Sequence, residues 1–136
     1  MEETVFHKII RREIPAEIIY EDAETLAFLD IQPMNPGHTL VVPKKFAKSI
    51  FDIDANAFAA LMRAAHKLAP VIKDAVGADG INIGMNNSPA AGQVVFYAHV
   101  HVMPRFLNDG YELWHGKNYP EGEAAKIAEK IRAKLG

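Results

Sequence analysis

Apolar residues recur at the spacing of an α-helix in two stretches of the chain, one central and one at the end. The central stretch follows Asp54, a residue type that caps helix N-termini, and ends at Gly77, which suits a helix C-terminus. Its apolar stripe consists of Phe58, Leu61, Met62, Ala65, Ala69, Ile72 and Val76. Pro70 predicts a kink or a break in this helix, because proline cannot donate the intrahelical hydrogen bond. His66 lies beside the stripe, and we expect it at the surface.

The terminal stretch predicts a second helix from about Glu121 to Leu135. Acidic residues at its start and basic residues at its end complement the helix dipole. We expect its apolar stripe to be buried against the rest of the molecule. This stripe consists of Ala124, Ile127, Ala128, Ile131 and Leu135.

Shorter runs rich in β-branched and aromatic residues predict strands. These runs are 18–20, 25–31, 38–43 and 81–86. The apolar segment 5–10 is compatible with one helical turn or with a strand. Turn-forming residues at 21–24 and 33–37 separate the neighbouring runs. Since the strands follow one another through short connections, except across the long helix, the order predicts an α+β fold. Its sheet is expected to be mainly antiparallel and packed by one long helix and a C-terminal helix.

A further strand candidate lies within Gly92–Arg105 and contains two histidines. Alternation along a strand predicts that one face carries Tyr97, His99, His101 and Met103. The opposite face, directed at a core, carries Ala98, Val100 and Val102. Two imidazoles therefore lie side by side on one surface. A His-x-His pair of this kind serves catalysis, binds a metal or simply packs, and the residues alone leave these alternatives open.

Composition and charge narrow the class of protein. The chain has 136 residues, 49% hydrophobic and 24% charged, which is typical of a single globular domain over residues 1–136. A net charge of −2 provides no basic surface for a nucleic acid, and the absence of cysteine excludes disulfides and thiolate chemistry. No apolar run is long enough to cross a membrane, and the acidic start does not resemble a secretion signal. We therefore expect a cytoplasmic protein without nucleic-acid or membrane partners.

Several segments of the chain resemble those of histidine triad (HIT) proteins and occur in the family's order. The family signature is His-φ-His-φ-His-φ-φ, where φ is hydrophobic, and the run around His99 and His101 is similar to it. The similar segments are Phe6–Ile10, Ile14–Ala16, Ala27–Ile31, Pro36–Lys45, Asn86 and Gly92–Arg105. The resemblance implies an α+β fold, a homodimer and a nucleotide substrate. The Met-Pro-Arg ending of the signature resembles the bacterial and archaeal branch of the family.

The resemblance also implies roles for individual residues. The middle histidine of the triad is the family nucleophile and corresponds to His99, and the third corresponds to His101. His38 resembles a family histidine outside the triad that supports the nucleophile. The first triad position is occupied by Tyr97, which departs from the family.

A second departure concerns metal binding. Many HIT proteins bind a structural zinc through two cysteines and two histidines, and the corresponding positions here are Thr4, His7, Phe46 and Tyr97. Only His7 can ligate, whereas structural zinc needs about four ligands. We therefore expect neither zinc nor another cofactor, and we interpret Tyr97 as a consequence of that loss. The alternative interpretation is that Tyr97 marks a decayed enzyme.

By resemblance, the reaction is hydrolysis of a nucleotide conjugate. His99 is expected to attack the α-phosphorus and form a nucleotidyl-histidine that water then hydrolyses. The expected substrates are nucleoside phosphoramidates or dinucleoside polyphosphates. Two alternatives are a catalytically silent nucleotide-binding protein and a nucleotidyl transferase.

The expected substrate-binding residues divide by chemistry. Asp30 is expected to bind the ribose hydroxyls. The base pocket is expected to consist of Val5, Phe6, Ile9, Phe28 and Ile31. The phosphate is expected beside His101, Asn86, Gly92, Gln93 and Val94. Val94 stands where phosphoramidases of the family often have Ser or Thr, and Ser88 stands where they often have Gly, so both departures bear on the leaving group.

The chain beyond the signature gives weaker signals. Arg105 is suited either to a phosphate contact or to a surface ion pair. Segment 106–119, which includes Trp114 and His115, has weak periodicity. We expect it to be a loop that covers a site or a partner surface.

Overall fold

A computed structural model of the chain describes residues 3–136. Its helices are α1 (Val5–Ile10), α2 (Ala55–Val76) and α3 (Glu123–Leu135). Its strands are β1 (Ile18–Glu21), β2 (Thr25–Leu29), β3 (Thr39–Pro43), β4 (Gly80–Gly84) and β5 (Val100–Arg105). A single 3₁₀ turn spans Pro89–Ala91.

The strands form one five-stranded sheet in the order β1-β2-β3-β5-β4, and every neighbouring pair is antiparallel. The interior position of β5, between β3 and β4, places His101 opposite Leu40 of β3 on one side and Gly84 of β4 on the other. The α+β prediction with a mainly antiparallel sheet is confirmed.

Helix α2 covers one face of the sheet. Asp54 accepts a hydrogen bond from the Ala57 amide at 2.8 Å, and Gly77 ends the helix with a left-handed φ of +67°, so both predicted caps are confirmed. The buried residues of the helix are Ala60, Leu61, Ala64, Ala65, Leu68 and Ile72. They pack on sheet residues that include Val41, Val100 and Val102.

Two details refine the prediction for α2. Of the kink or break predicted at Pro70, the break is wrong, because the helix continues through Pro70 to Val76. Pro70 is exposed, while Leu68 and Ile72 on either side of it are buried, and this packing outweighs the loss of one hydrogen bond. Met62 lies at the exposed edge of the stripe, and His66 is exposed as predicted.

A second core lies on the other face of the sheet, beneath α1. The segment 5–10 is a helix, because Thr4 caps it and exchanges hydrogen bonds with His7 in a capping box. The buried residues of this core are Phe6, Ile9, Leu26, Phe28, Leu40, Val42 and Tyr97. The site described below lies at the end of this aromatic-rich core.

The histidine-bearing strand is shorter than predicted. β5 begins at Val100, so His99 immediately precedes the strand, and Gln93–Ala98 is irregular. The reason is that this segment has no ladder partner, and one of its amides, that of Ala98, donates instead to the Ala47 carbonyl at 2.8 Å. Within β5 the predicted alternation is confirmed, with Val100, Val102 and Pro104 buried.

Helix α3 begins close to its predicted start but does not contact the core as predicted. No residue of Glu123–Leu135 is buried, and Ile131 and Leu135 are exposed. The buried stripe expected for this helix is therefore wrong for the single chain, because the exposed segment 111–122 carries α3 away from the sheet. Among residues 3–136, no helix combines the length and hydropathy needed to span a bilayer.

Candidate active site

Three histidines come together on one face of the neighbouring strands β3 and β5. His38 immediately precedes β3, and its position depends on Gly37, which has a φ of +95°. A Cβ on residue 37 would lie 2.9 Å from a side-chain carbon of Val76, so both the available space and the backbone conformation favour glycine at this position. The His101 ring centroid lies 4.9 Å from that of His99 and 5.1 Å from that of His38.

His99 is oriented by the backbone of its own segment. Its Nδ1 lies 2.6 Å from the Tyr97 carbonyl oxygen, which can only accept, so Nδ1 carries the hydrogen. His99 is buried, and this burial lowers its pKa from the ordinary value. The ring is therefore neutral near pH 7 and its Nε2 retains a free lone pair. That is the protonation state required of a nucleophilic histidine.

His38 and His101 form a chain of hydrogen bonds whose direction is fixed at one end. The amide of Met34 donates to His38 Nδ1 at 3.0 Å, so in the neutral ring Nε2 carries the hydrogen. His38 Nε2 lies 2.9 Å from His101 Nδ1 and donates to it. His101 Nε2 must then carry the remaining hydrogen. This nitrogen can donate to an oxygen of a bound ligand.

The electrostatics of this pair favour the neutral form. Burial, followed by the neighbouring imidazoles of His99 and His38, lowers the pKa of His101 from 6.5 to about 4. Burial also lowers the pKa of His38, although the Asp30 carboxylate opposes this. Both rings are therefore uncharged at neutral pH, so the direction of the hydrogen-bond chain holds under ordinary conditions.

Asp30 lies at the entrance to this pair. One carboxylate oxygen is 3.7 Å from His38 Nε2, and the other accepts from the Gln32 amide at 2.9 Å. Asp30, His38 and His101 each present a ligand atom within 4.8 Å of the others. The two imidazole nitrogens nevertheless face each other across a hydrogen bond, so this arrangement does not favour a metal.

The four positions that correspond to the zinc site of HIT proteins do come together. His7, Phe46 and Tyr97 are in mutual ring contact, with centroid distances of 4.8 to 5.2 Å, and Thr4 caps α1 beside them. The donor chemistry does not fit zinc. Phe46 has no donor atom, and the Tyr97 hydroxyl donates to the Pro43 carbonyl. Among these residues His7, whose Nε2 is buried without a hydrogen-bond partner in residues 3–136, offers one ligand atom, whereas structural zinc needs about four.

The residues expected to line a base pocket divide into two groups. Phe6, Ile9 and Phe28 are buried in the second core, where the Phe6 ring lies 5.0 Å from that of His99. Val5 and Ile31 are exposed. The structure therefore gives the first group a packing role beside His99 and leaves the second group accessible to a ligand.

The loop before His99 is held together by Gln93. Its side-chain amide donates to the carbonyls of Lys48 at 2.7 Å and Val95 at 3.1 Å, and its oxygen accepts from the Ser88 amide at 2.8 Å. Both amide hydrogens are thus used within the protein. In this arrangement neither amide hydrogen is free to donate to the phosphate expected beside Gln93.

The other predicted members of the loop are more accessible. Val94 is 83% exposed. Gly92 has a φ of +90°, and the Asn86 side-chain amide lies 3.5 Å from its carbonyl oxygen. Asn86 therefore remains a candidate donor at the rim of the site.

A cavity of about 610 Å³ opens beside the histidine pair. It is lined by His38, His101, Asn86 and Arg105, together with apolar residues that sequence reasoning did not assign to a site. The principal apolar residues are Met34, Met85, Met103, Leu113 and Trp114. In the sequence, the one indication of this apolar lining was that Met103 shares a strand face with His101. Segment 106–119 reaches this cavity, in line with its predicted role as a cover.

Arg105 forms an ion pair and does not point a free guanidinium at the cavity. Two of its nitrogens donate to Asp109 at 2.8 and 3.0 Å, and a third donates to Asn82. The Arg105 guanidinium holds the pKa of Asp109 well below its usual range. Tyr111 follows this pair and donates to the Met34 carbonyl at 2.8 Å. The ion pair of Arg105 with Asp109 and the hydroxyl of Tyr111 therefore connect the C-terminal segment to Met34, whose amide orients His38.

With this geometry established, comparisons with known proteins identify the family. The HIT domain model matches residues 11–108, and the chain belongs to the HIT family. An uncharacterized HIT-like protein of Methanocaldococcus jannaschii is 45% identical over 78% of this chain and 81% of its own length. The crystal structure of a HIT family member from Bacillus subtilis is 34% identical, covers 99% of both chains and superimposes with a TM-score of 0.91.

Two relatives are named for hydrolytic activities on nucleotide derivatives. The purine nucleoside phosphoramidase of Escherichia coli is 38% identical over 75% of this chain and 87% of its own length. An adenylylsulfatase of Arabidopsis thaliana is 38% identical over 96% of this chain and 68% of its own length. The family therefore includes nucleotide hydrolases.

Proposed function

We propose that this protein hydrolyses nucleoside phosphoramidates or dinucleoside polyphosphates at the α-phosphate. The observation that carries the proposal is the hydrogen bond from His99 Nδ1 to the Tyr97 carbonyl, which leaves a neutral ring with an unprotonated Nε2. The names of the relatives from Escherichia coli and Arabidopsis thaliana support the same type of bond cleavage.

In the proposed reaction, His99 Nε2 forms a bond to the α-phosphorus as the bond to the leaving group breaks. The product of this step is a nucleotidyl-histidine, which water hydrolyses to the free nucleotide and the regenerated imidazole. His101 Nε2–H donates to a non-bridging phosphoryl oxygen as its charge increases. The hydrogen-bond chain from Met34 through His38 keeps that hydrogen on the outer nitrogen of His101.

The test is turnover of adenosine 5′-phosphoramidate by the wild type, His99→Ala and a matched control, His66→Ala, in which an exposed histidine of α2 is removed. His99→Ala should lose at least about 10⁴-fold in kcat, because it removes the nucleophile. It should still bind AMP in calorimetry. His66→Ala should match the wild type in both measurements.

Intermediate trapping separates the proposal from its alternatives. Rapid alkaline quench, which preserves the acid-labile P–N bond, followed by mass spectrometry at high pH should find a nucleotidyl group on the peptide containing His99. If the wild type binds AMP but turns over no phosphoramidate or dinucleoside polyphosphate, the protein is a silent nucleotide binder. If the trapped nucleotide passes to an added acceptor in preference to water, the protein is a transferase.

We also propose that the working form is a homodimer. The exposed apolar residues of α3, including Ile131 and Leu135, support this proposal, because such a stripe is normally buried in a folded assembly. Light scattering on the intact chain should give twice the monomer mass. A double substitution, Ile131→Lys with Leu135→Lys, should shift that mass toward the monomer, and a wild type that is monomeric at all concentrations would contradict the proposal.

A further inference from the structure

Tyr97, the residue at the first triad position, is the largest side chain in the fully buried part of the core, with 1% of its surface exposed. Its ring centroid lies 4.9 Å from that of His7, 5.2 Å from that of Phe46 and 6.2 Å from that of Phe6. We call these four residues the aromatic cluster. It joins α1 and the chain after β3 to the segment that carries the nucleophile.

The hydroxyl of Tyr97 gives this cluster a polar connection to the sheet. It donates to the carbonyl of Pro43, the last residue of β3. Burial raises the pKa of Tyr97 to about 12, so the hydroxyl remains protonated and the hydrogen bond persists across the working pH range.

The main chain of the same residue contacts His99. The Tyr97 carbonyl accepts the hydrogen of His99 Nδ1 at 2.6 Å. This part of the chain is irregular and has no strand partner, so ladder hydrogen bonds do not fix the direction of that carbonyl. The buried side chain of Tyr97 and the amide of Ala98, which donates to the Ala47 carbonyl, are the contacts that do.

We propose that Tyr97 is a positioning residue for His99, and that the aromatic cluster takes the place of the structural zinc that many HIT proteins bind at the corresponding positions. The ring and hydroxyl of Tyr97 fix its carbonyl, and the carbonyl fixes the tautomer of the imidazole that attacks phosphorus. A tyrosine at this position thereby maintains catalysis without a metal. The kinetic consequence rests on the proposed hydrolysis, whereas the tautomer of His99 is independent of it.

Two substitutions vary the strength of this support. Tyr97→Phe keeps the ring packing but removes the donor to Pro43, so the carbonyl loses one of its constraints. Tyr97→Leu also removes the ring contacts with His7 and Phe46 and leaves unfilled space in the cluster. Tyr20→Phe is the matched control, because its hydroxyl donates to Asp22 at the surface and its half-buried ring packs against the core under α2, away from the aromatic cluster.

Long-range ¹H–¹⁵N NMR reads the tautomer of His99, with His99→Ala used to assign its signals. The wild type should show a single neutral tautomer with hydrogen on Nδ1. Tyr97→Leu should show both tautomers in exchange, Tyr97→Phe should show a smaller admixture, and Tyr20→Phe should match the wild type. A wild type dialysed against EDTA should retain its tautomer and its Tm.

Kinetics with adenosine 5′-phosphoramidate give the second readout. Tyr97→Leu should lower kcat by about 10- to 100-fold, the range expected when a reacting group is misplaced, with KM changed less than about twofold. The acidic limb of the kcat profile should move to higher pH, because a looser His99 is better hydrated and is protonated more easily. A loss of fold stability alone would lower Tm without moving this limb.

The possible results separate the positioning role of Tyr97, the replacement of the zinc and the proposed hydrolysis from one another. If folded Tyr97→Leu keeps one tautomer and an unchanged acidic limb, the positioning role is wrong, and if that variant does not fold, the admixture in Tyr97→Phe decides. Stoichiometric zinc in the wild type, with loss of Tm on EDTA treatment, would overturn the replacement of the metal. If the tautomer changes as expected but no variant or wild type turns over substrate, the proposed function fails while the positioning role stands.

Discussion

The two neighbouring histidines of the site are supported in different ways. His101 is held by a chain of hydrogen bonds that begins at the Met34 amide and passes through His38. His99 has one hydrogen bond to a main-chain carbonyl and is otherwise packed against aromatic rings, with Phe6 at 5.0 Å. The hydrogen bonds beside His101 determine which of its ring nitrogens carries the hydrogen. The aromatic packing beside His99 determines the position of its ring.

This difference predicts separable consequences for variants. Aromatic residues beside His99 belong to a hydrophobic core, so changes there should reduce fold stability and activity together. The hydrogen bonds beside His101 contribute little net free energy of folding, so changes there should affect chemistry more than stability.

The largest effect should follow Phe6→Ala on the aromatic side. Phe6 is buried and contacts the rings of Phe28, Tyr97 and His99, so its loss leaves a cavity. The free energy of unfolding in urea should fall by about 3–5 kcal/mol. Phe51→Ala, at a phenylalanine that is 78% exposed, is the control and should change it by less than about 0.5 kcal/mol. Equal effects at the two positions would show that the second core does not support the fold.

His38→Ala tests the polar side. The substitution removes the donor to His101 Nδ1, so the hydrogen of His101 is no longer confined to Nε2. We expect kcat to fall by about 10²-fold, at the lower end of the range for residues that take part in proton transfer or control the position of a proton. Urea unfolding should show a loss of only about 1–3 kcal/mol, from the unpaired Met34 amide and imidazole. A loss of stability as large as that of Phe6→Ala, with kcat retained, would reverse the comparison.

Periodicity in the sequence predicted some elements of the fold correctly and failed for one segment beside the site. Periodicity was sufficient for α2 with both caps, because its stripe is long and its cap residues have specific geometry. It was also sufficient for the alternation within β5. It failed at Gln93–Ala98, where β-branched and aromatic residues predict a strand but no neighbouring strand is available to pair with them.

Contacts between distant segments explain most of the remaining differences. The stripe of α3 was correctly identified as apolar, but periodicity does not say which surface covers it. Gln93 has the side chain of a phosphate donor, and only the folded loop shows that both amide hydrogens are already bonded. The connection from Tyr111 through Met34 to His38 joins residues 77 positions apart at its first step, and no local pattern indicates it.

The pH dependence of stability provides an intermediate effect on the polar side. In the unfolded chain His101 binds a proton below about pH 6.5, whereas in the folded protein it does so only near pH 4. Between these values the unfolded chain binds more protons, so the free energy of unfolding should fall as pH drops from 7 toward 5. The pKa of His38 and that of His99 are also lowered and act in the same direction.

Urea titrations at pH 7.0, 6.0 and 5.0 measure this slope. The variant His101→Asn lacks the most strongly shifted group and should lose less stability over the same range. His66→Ala removes an exposed histidine and should keep the slope of the wild type. A slope that is unchanged in His101→Asn would place the acid sensitivity outside the histidine pair.

The smallest effect should follow Tyr111→Phe, which tests how far the polar support extends. The hydroxyl of Tyr111 donates to the Met34 carbonyl at 2.8 Å, and the amide of the same residue orients His38. An exposed hydrogen bond of this kind contributes about 0.5–1.5 kcal/mol to folding, so Tm should fall by only a few degrees. Because Met34 loses part of its support, kcat should fall by no more than about tenfold. Tyr119→Phe, at an exposed tyrosine of the same segment, should leave kcat unaltered. Because Tyr111 does not touch His99, the tautomer of His99 should stay single in this variant, and a mixture would show that the two supports are coupled through the C-terminal segment.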